Sequence, residues 1–133
     1  MNEQHAAVIR ECAALSHESK IVFPEVVRRL MEIGVERYHA DYSRQEITFY
    51  MPDGESLVVG SPHPPQETGA AFSAADVEAA VRQSQRGEHT YADFVRKTMA
   101  AACVGYFVQI TGRCAIYFGR DGESHVERFP AAM

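Results

Sequence analysis

Tryptophan is absent from this chain, cysteine occurs three times, and no stretch approaches the ~20 consecutive apolar residues of a membrane-spanning helix. Cys12, Cys103 and Cys114 are odd in number, far apart and free of any CxxC pair. That pattern excludes a disulfide scaffold and points to reduced, mostly buried thiols. A basic excess is missing too: 13 Lys and Arg stand against 18 Asp and Glu, a net charge of -5. Phosphate-backbone binding needs the opposite balance, so nucleic acid is not an expected partner. The start Met1-Asn2-Glu3-Gln4-His5 lacks the basic opening and apolar run of a secretory signal. The expectation is a cytoplasmic protein with no membrane partner.

Chemical signatures are equally scarce. There is no nucleophile elbow, phosphate-cradling glycine loop, dinucleotide fingerprint or zinc-ligand spacing, and no two of the six histidines form a close helical pair. No cofactor and no metal are expected. The twice-used Asp-Gly-Glu-Ser at Asp53, Gly54 and Asp121, Gly122 lacks the further oxygen ligands of a calcium loop and reads as a structural hairpin turn.

What the chain does have is 133 residues with 46% hydrophobic content, enough for one domain with a real core, and an internal repeat. A shift of 68 aligns Phe23 to Val59 with Tyr91 to Glu127 without a gap, and nine of the 37 pairs are identical, among them Val27/Val95, Tyr38/Tyr106 and Gly54/Gly122. Chance would give about two at ordinary composition. The reading is one domain over 1–133, with repeat one at 1–59, a Pro- and Gly-rich linker at 60–69 that spans without packing, and repeat two at 70–133. Both the thin core expected of a half-chain and the charge imbalance matter here. Residues 1–68 carry six basic and eleven acidic side chains, residues 69–133 seven of each. A specialised polar surface is therefore expected in the first unit.

Each unit opens with two helices. Val8, Ile9, Cys12 and Leu15 recur on one helical face, with Asn2 as cap; Ser73 with Asp76 and Thr90 with Asp93 mark two further starts, and Pro24 opens the second helix, which stops at Gly34. Strands follow. Tyr38, Ala40 and Tyr42 alternate with Arg37, His39 and Asp41, and Tyr106, Val108 and Ile110 repeat the apolar face. Two more strands complete each unit. The fold class is α+β: two tandem ααβββ repeats, strands antiparallel, helices packed on one sheet face, related by a pseudo-two-fold axis. The pattern leaves open whether the strands make one sheet or two.

Two candidate sites emerge. Arg37, His39 and Asp41 project from the polar face of one strand and form a candidate polar groove for an anion or for acid–base chemistry. Tyr38 and Tyr106 form a candidate aromatic lining where the repeats meet.

The arrangement of Phe23-Pro24-Glu25, Gly34-Val35-Glu36-Arg37-Tyr38 and Asp53-Gly54-Glu55, with Tyr91-Ala92-Asp93-Phe94, Tyr106, Tyr117 to Glu123 and Glu127-Arg128-Phe129-Pro130 in the second unit, resembles the YbcV/YdfO-like family of small bacterial and prophage proteins, sometimes labelled phage-envelope-like. The resemblance implies an α+β fold and mobile-element ancestry, and no reaction or catalytic residue. One position departs from the pattern: Ala102 stands where Gly is expected, so that helix is expected to end differently from its partner at Gly34. The functional expectation is a non-enzymatic interaction or small-ligand-binding module with a protein or small-molecule partner. The alternatives are a homodimeric or larger structural or phage-related protein, pairing through its third strands or the Ala-rich helix at 74–81, and an enzyme working around His39.

Overall fold

The computed structural model describes residues 1–131, so the last two residues of the 70–133 span lie outside it. The order is α1 (Glu3–His17), α2 (Phe23–Glu32), β1 (Arg37–Asp41), β2 (Glu46–Tyr50), β3 (Ser56–Gly60), α3 (Ala74–Gln85), α4 (Tyr91–Ala100), β4 (Cys103–Gln109), β5 (Cys114–Gly119) and β6 (Ser124–Arg128). All six strands join one antiparallel sheet in the order β3-β2-β1-β4-β5-β6. The question left open by the sequence is thus answered: β1 and β4 pair directly, with Tyr38 opposite Val108 and Ala40 opposite Tyr106.

Local chemistry explains each helix boundary. Asn2 Oδ1 accepts from the backbone N–H of His5 at 2.8 Å, Ser73 Oγ from Asp76 at 3.2 Å, and Thr90 with Asp93 closes a reciprocal capping box. Pro24 sits in the first turn of α2, where its missing N–H removes no bond. At the far end of α4, Ala102 takes φ +67, the same left-handed turn that Gly34 makes at φ +85. The expectation of a different ending is therefore corrected. Ala102 is 4% exposed and its N–H donates to Met99 O at 2.9 Å, so packing and hydrogen bonding hold a methyl-bearing residue where glycine would be relaxed.

The helices cover one face of the sheet. Buried strand residues fall on one alternation, including Tyr38, Ala40, Ile47, Phe49, Tyr106, Val108, Ala115 and Tyr117, and meet Ile9, Cys12, Leu30, Val77 and Phe94 from above. One core runs beneath all four helices. Among the described residues no helix is long and apolar enough to cross a membrane.

The segment expected to span without packing is pinned at several points. Gly60 belongs to β3, Ser61 N–H donates to Gln45 O at 2.7 Å, and His63 Nε2 lies 3.1 Å from Tyr42 O. Gly69 N–H donates to Met99 O at 2.8 Å, and a Cβ at Gly69 would come within 2.2 Å of Ala100 O. Proline and glycine remove regular structure from this stretch without removing its contacts.

Candidate functional site: an aromatic cavity under the helices

Tyr38 and Tyr106 point from neighbouring strands toward the helices, so each ring must find room between the layers. The helices leave a cavity of about 290 Å³ above them. Its floor is Tyr38, Ile47 and Phe49 from β1 and β2, and Tyr106, Ala115 and Tyr117 from β4 and β5; Val26 and Phe94 stand over it. The rings brace one another: Tyr106 and Tyr117 centroids are 5.3 Å apart, Tyr38 and Phe49 5.2 Å, and Phe94 meets Tyr106 edge-on at 6.0 Å. A volume near the lower end of the ~300–1,000 Å³ typical of ligand pockets suits a small, flat molecule.

Hydroxyls interrupt this apolar lining at defined points. Tyr91 and Tyr106 oxygens are 2.9 Å apart, and Ser61 lines the cavity beside Tyr91, which gathers hydroxyls at one side of the mouth. The Tyr91 backbone N–H donates to Ser19 Oγ at 3.3 Å. On the matched side, Phe23 and Phe129 pack edge to face at 5.7 Å and offer no polar atom. Tyr38 and Tyr117 are each 6% exposed, and among the described residues their hydroxyls have no hydrogen-bond partner. No fully buried side-chain polar atom among the described residues lacks a partner, so the two phenol oxygens each keep some accessible surface, and both residues line the cavity.

The cavity floor is uncharged, and Glu127 and Arg128 lie in its walls. Burial raises the phenols of Tyr38, Tyr106, Tyr91 and Tyr117 above their ordinary value, and burial likewise raises the Cys12 thiol. His89 lines the mouth with its imidazole held below its ordinary value, first by burial and then by Lys97. Lys97 Nζ lies 3.0 Å from His89 Nδ1 and, being only a donor, makes that nitrogen the acceptor. Nε2 therefore carries the proton and donates to Ser84 Oγ at 2.7 Å. Arg82 is occupied by Glu78 and Glu127, and Lys97 also donates to Gln83.

Arg37, His39 and Asp41 lie on the opposite, uncovered face of the sheet, each with its own neighbour. Arg37 pairs with Glu36 and lies over the Tyr50 ring at 4.3 Å. His39 stacks on Phe107 at 4.3 Å and 8°, and its side chain makes no hydrogen bond. Burial holds its imidazole below the ordinary value while Asp41 opposes the shift. Asp41 Oδ1 accepts from the backbone of Arg44 at 3.2 Å. His39 and Asp41 share a shallow depression with Ser43 and Gly105. Across this face runs a row in register through every strand: Val58, Thr48, His39, Phe107, Ile116 and Val126. Val58 and Val126 at its ends are 52% and 48% exposed.

The turn residues stay at the hairpin tips. Asp53 Oδ1 accepts from Glu55 N–H at 2.9 Å, and Gly54 and Gly122 adopt φ +94 and +88. Among the described residues no group of three or more His, Cys, Asp and Glu side chains is placed to hold a metal ion. Sequence reasoning passed over Phe49, Tyr91, Tyr117, Ser61 and His89 as cavity residues. The second strands read as apolar on both faces, so the sequence did not single out Phe49 and Tyr117, which the fold puts on the covered face. Nothing local marked Tyr91 at the start of α4 or Ser61 and His89 in loops.

An α+β domain of four helices on one face of a six-stranded antiparallel sheet, with an aromatic cavity between the layers, is the class that fold and site define. The family model described as "Protein of unknown function (DUF1398)" matches residues 13–127, and the chain belongs to that family. No curated protein matches the chain.

Proposed function

We propose that this protein is a non-enzymatic module that binds a small molecule in the cavity between helices and sheet. The observation that carries the reading is the pair of phenols, Tyr38 and Tyr117, on the aromatic floor of the chamber with no hydrogen-bond partner among the described residues. A chamber kept for packing alone has no use for hydroxyls that bond to nothing in the protein. Catalysis has less support. His39 is stacked on Phe107 with no hydrogen-bonded partner among the described residues to orient it, and in the serine–histidine pair of the cavity, Ser84 and His89, Lys97 holds the imidazole with its proton on Nε2, so it cannot take the Ser84 proton.

The proposal includes an origin by duplication, with 1–59 and 70–133 as two copies in one domain about a pseudo-two-fold axis. The sheet order β3-β2-β1-β4-β5-β6 supports it, being palindromic in the two halves. So does the backbone. Ser19 and Gly87, Gly34 and Ala102, Gln45 and Arg113, and Gly54 and Gly122 all have positive φ, and each pair is 68 apart. The cavity lining obeys the same spacing at Tyr38/Tyr106, Phe49/Tyr117, Phe23/Tyr91 and Ile47/Ala115, which would place the binding site on the axis. Prophage kinship to the YbcV/YdfO-like proteins and a cytoplasmic home, suited to the free thiols of Cys12, Cys103 and Cys114, belong to the same proposal.

A thermal-shift screen against small neutral aromatics tests the binding reading, because a ligand of the native state raises apparent stability. Ala115→Ile puts at this position the side chain that Ile47 supplies on the matched strand and fills the chamber. Ligands that stabilise the parent and not this variant support the reading, and a flat response across a broad library contradicts it. A second reading, a homodimer joined through the uncovered sheet face, is favoured by the exposed row ending in Val58 and Val126. Light scattering that gives a monomer at micromolar concentration would remove it.

A further inference from the structure

We infer that the cavity selects a neutral, flat, largely apolar molecule carrying an acceptor oxygen such as a ketone or amide carbonyl, and discriminates against carboxylates and phosphates. The inference rests on the binding reading and adds the chemistry of the ligand.

Three observations carry it. The polar groups on the cavity floor are phenol hydroxyls, while His17, Gln85, Glu127 and Arg128 line its walls. Tyr38 and Tyr117 have no partner among the described residues, and Ser84, which already accepts from His89, retains its own proton for donation. These groups complement an acceptor. Second, the cations near the walls are spoken for: Arg82 by Glu78 and Glu127, Lys97 by His89 and Gln83. Arg128, at the mouth, is solvent-exposed. An anion carried past Arg128 onto the aromatic floor would lose its hydration without gaining a counter-charge there, and the Glu127 carboxylate lies in the same wall. Third, three matched position pairs at the mouth differ in one direction, while Glu127 and Arg128 precede Phe129 in the wall. Ser19, Ser61 and Tyr91 gather hydroxyls on one side, where Gly87, Phe129 and Phe23 are the residues at the matched spacing. A molecule with an apolar body and one polar end fits this asymmetry, and an ion does not.

The experiment compares three probes of similar shape, acetophenone, ethylbenzene and benzoate, by NMR titration of the full chain and of the Tyr38→Phe/Tyr117→Phe double variant. The parent binds acetophenone, and binds benzoate more weakly than acetophenone. The double variant loses roughly three- to tenfold in acetophenone affinity, while its affinity for ethylbenzene is unchanged, which also reports an intact chamber. Benzoate binding as tightly as acetophenone overturns the inference, as does a double variant that weakens acetophenone and ethylbenzene equally or neither. Those results leave the cavity itself standing. If none of the three probes binds the parent, the binding reading fails first and the ligand class with it.

Discussion

Tyr42 at the end of β1 and Thr98 in the middle of α4 share a buried hydrogen bond, with 2.8 Å between their oxygens. Thr98 is wholly buried and donates to Phe94 O, also at 2.8 Å, so Tyr42 is the donor in the pair and a helix of the second half is tied to a strand of the first. The two partners differ in what their loss leaves behind. Thr98→Val strands the Tyr42 hydroxyl and is expected to cost about 1–3 kcal/mol, whereas Tyr42→Phe leaves Thr98 bonded to its own helix and costs about 0.5–1.5 kcal/mol. Urea denaturation of both single variants and the double variant checks this. The double variant should fall short of the sum, because the stranded hydroxyl is gone.

Gly105 lies where β4 crosses closest to β1. A Cβ there would come within 2.4 Å of Ala40 O, a backbone atom that cannot move aside without opening the central strand pair. Gly105→Ala is expected to destabilise the whole domain by about 1–3 kcal/mol or more, read as a lower denaturation midpoint with an unchanged slope. Gly54→Ala meets nothing within 4 Å but adds a methyl at φ +94, so its cost is backbone strain of roughly 1–2 kcal/mol, confined to the hairpin tip.

Acid and alkali should each weaken the fold through different side chains. His39 and His89 both titrate below the ordinary imidazole value in the folded state, chiefly through burial. As pH falls through about 6.5 the unfolded chain takes up protons that the fold resists, so this stability is complete above that pH and lost on acidification through the lower folded values. Glu25, pulled down to about 2 by hydrogen bonds from Arg28 and Arg29, acts in the same direction, but only below the ordinary carboxylate range. Above about pH 10 the sign reverses: the buried phenols of Tyr38, Tyr42, Tyr91, Tyr106 and Tyr117 keep protons that the unfolded chain releases, and stability falls as pH rises. Thermal melts from about pH 5 to pH 11 should trace both limbs. Replacing His39 and His89 by Gln should flatten the acid limb between about pH 7 and 5.

Much of the fold was legible because its signals are local. Asn2, Ser73 and Thr90 cap the helices that their spacing announced, and the alternation around Tyr38 and Tyr106 named the covered face. The union of two strand triplets into one sheet was not legible, since it depends on β1 meeting β4 across more than 60 residues of chain. Nor was the role of Ser61, which composition placed in a linker and which the fold brings against Tyr91. Ala102 shows the limit of residue preference: a left-handed turn expected to need glycine is held by packing around a methyl group. Tyr38 and Tyr106 could be named as neighbours of a cavity because a periodic face carries them; His89 could not, because its place is set by Ser84 and Lys97.

The most direct measurement of the central claim is a titration of the isotope-labelled protein with acetophenone, followed by amide NMR shifts. Saturable shifts confined to Tyr38, Phe94, Tyr106, Ala115 and Tyr117, abolished by Ala115→Ile, are the expected result. No saturable shift, or shifts centred instead on His39, Phe107 and Val126 on the uncovered face, would contradict a binding chamber between helices and sheet.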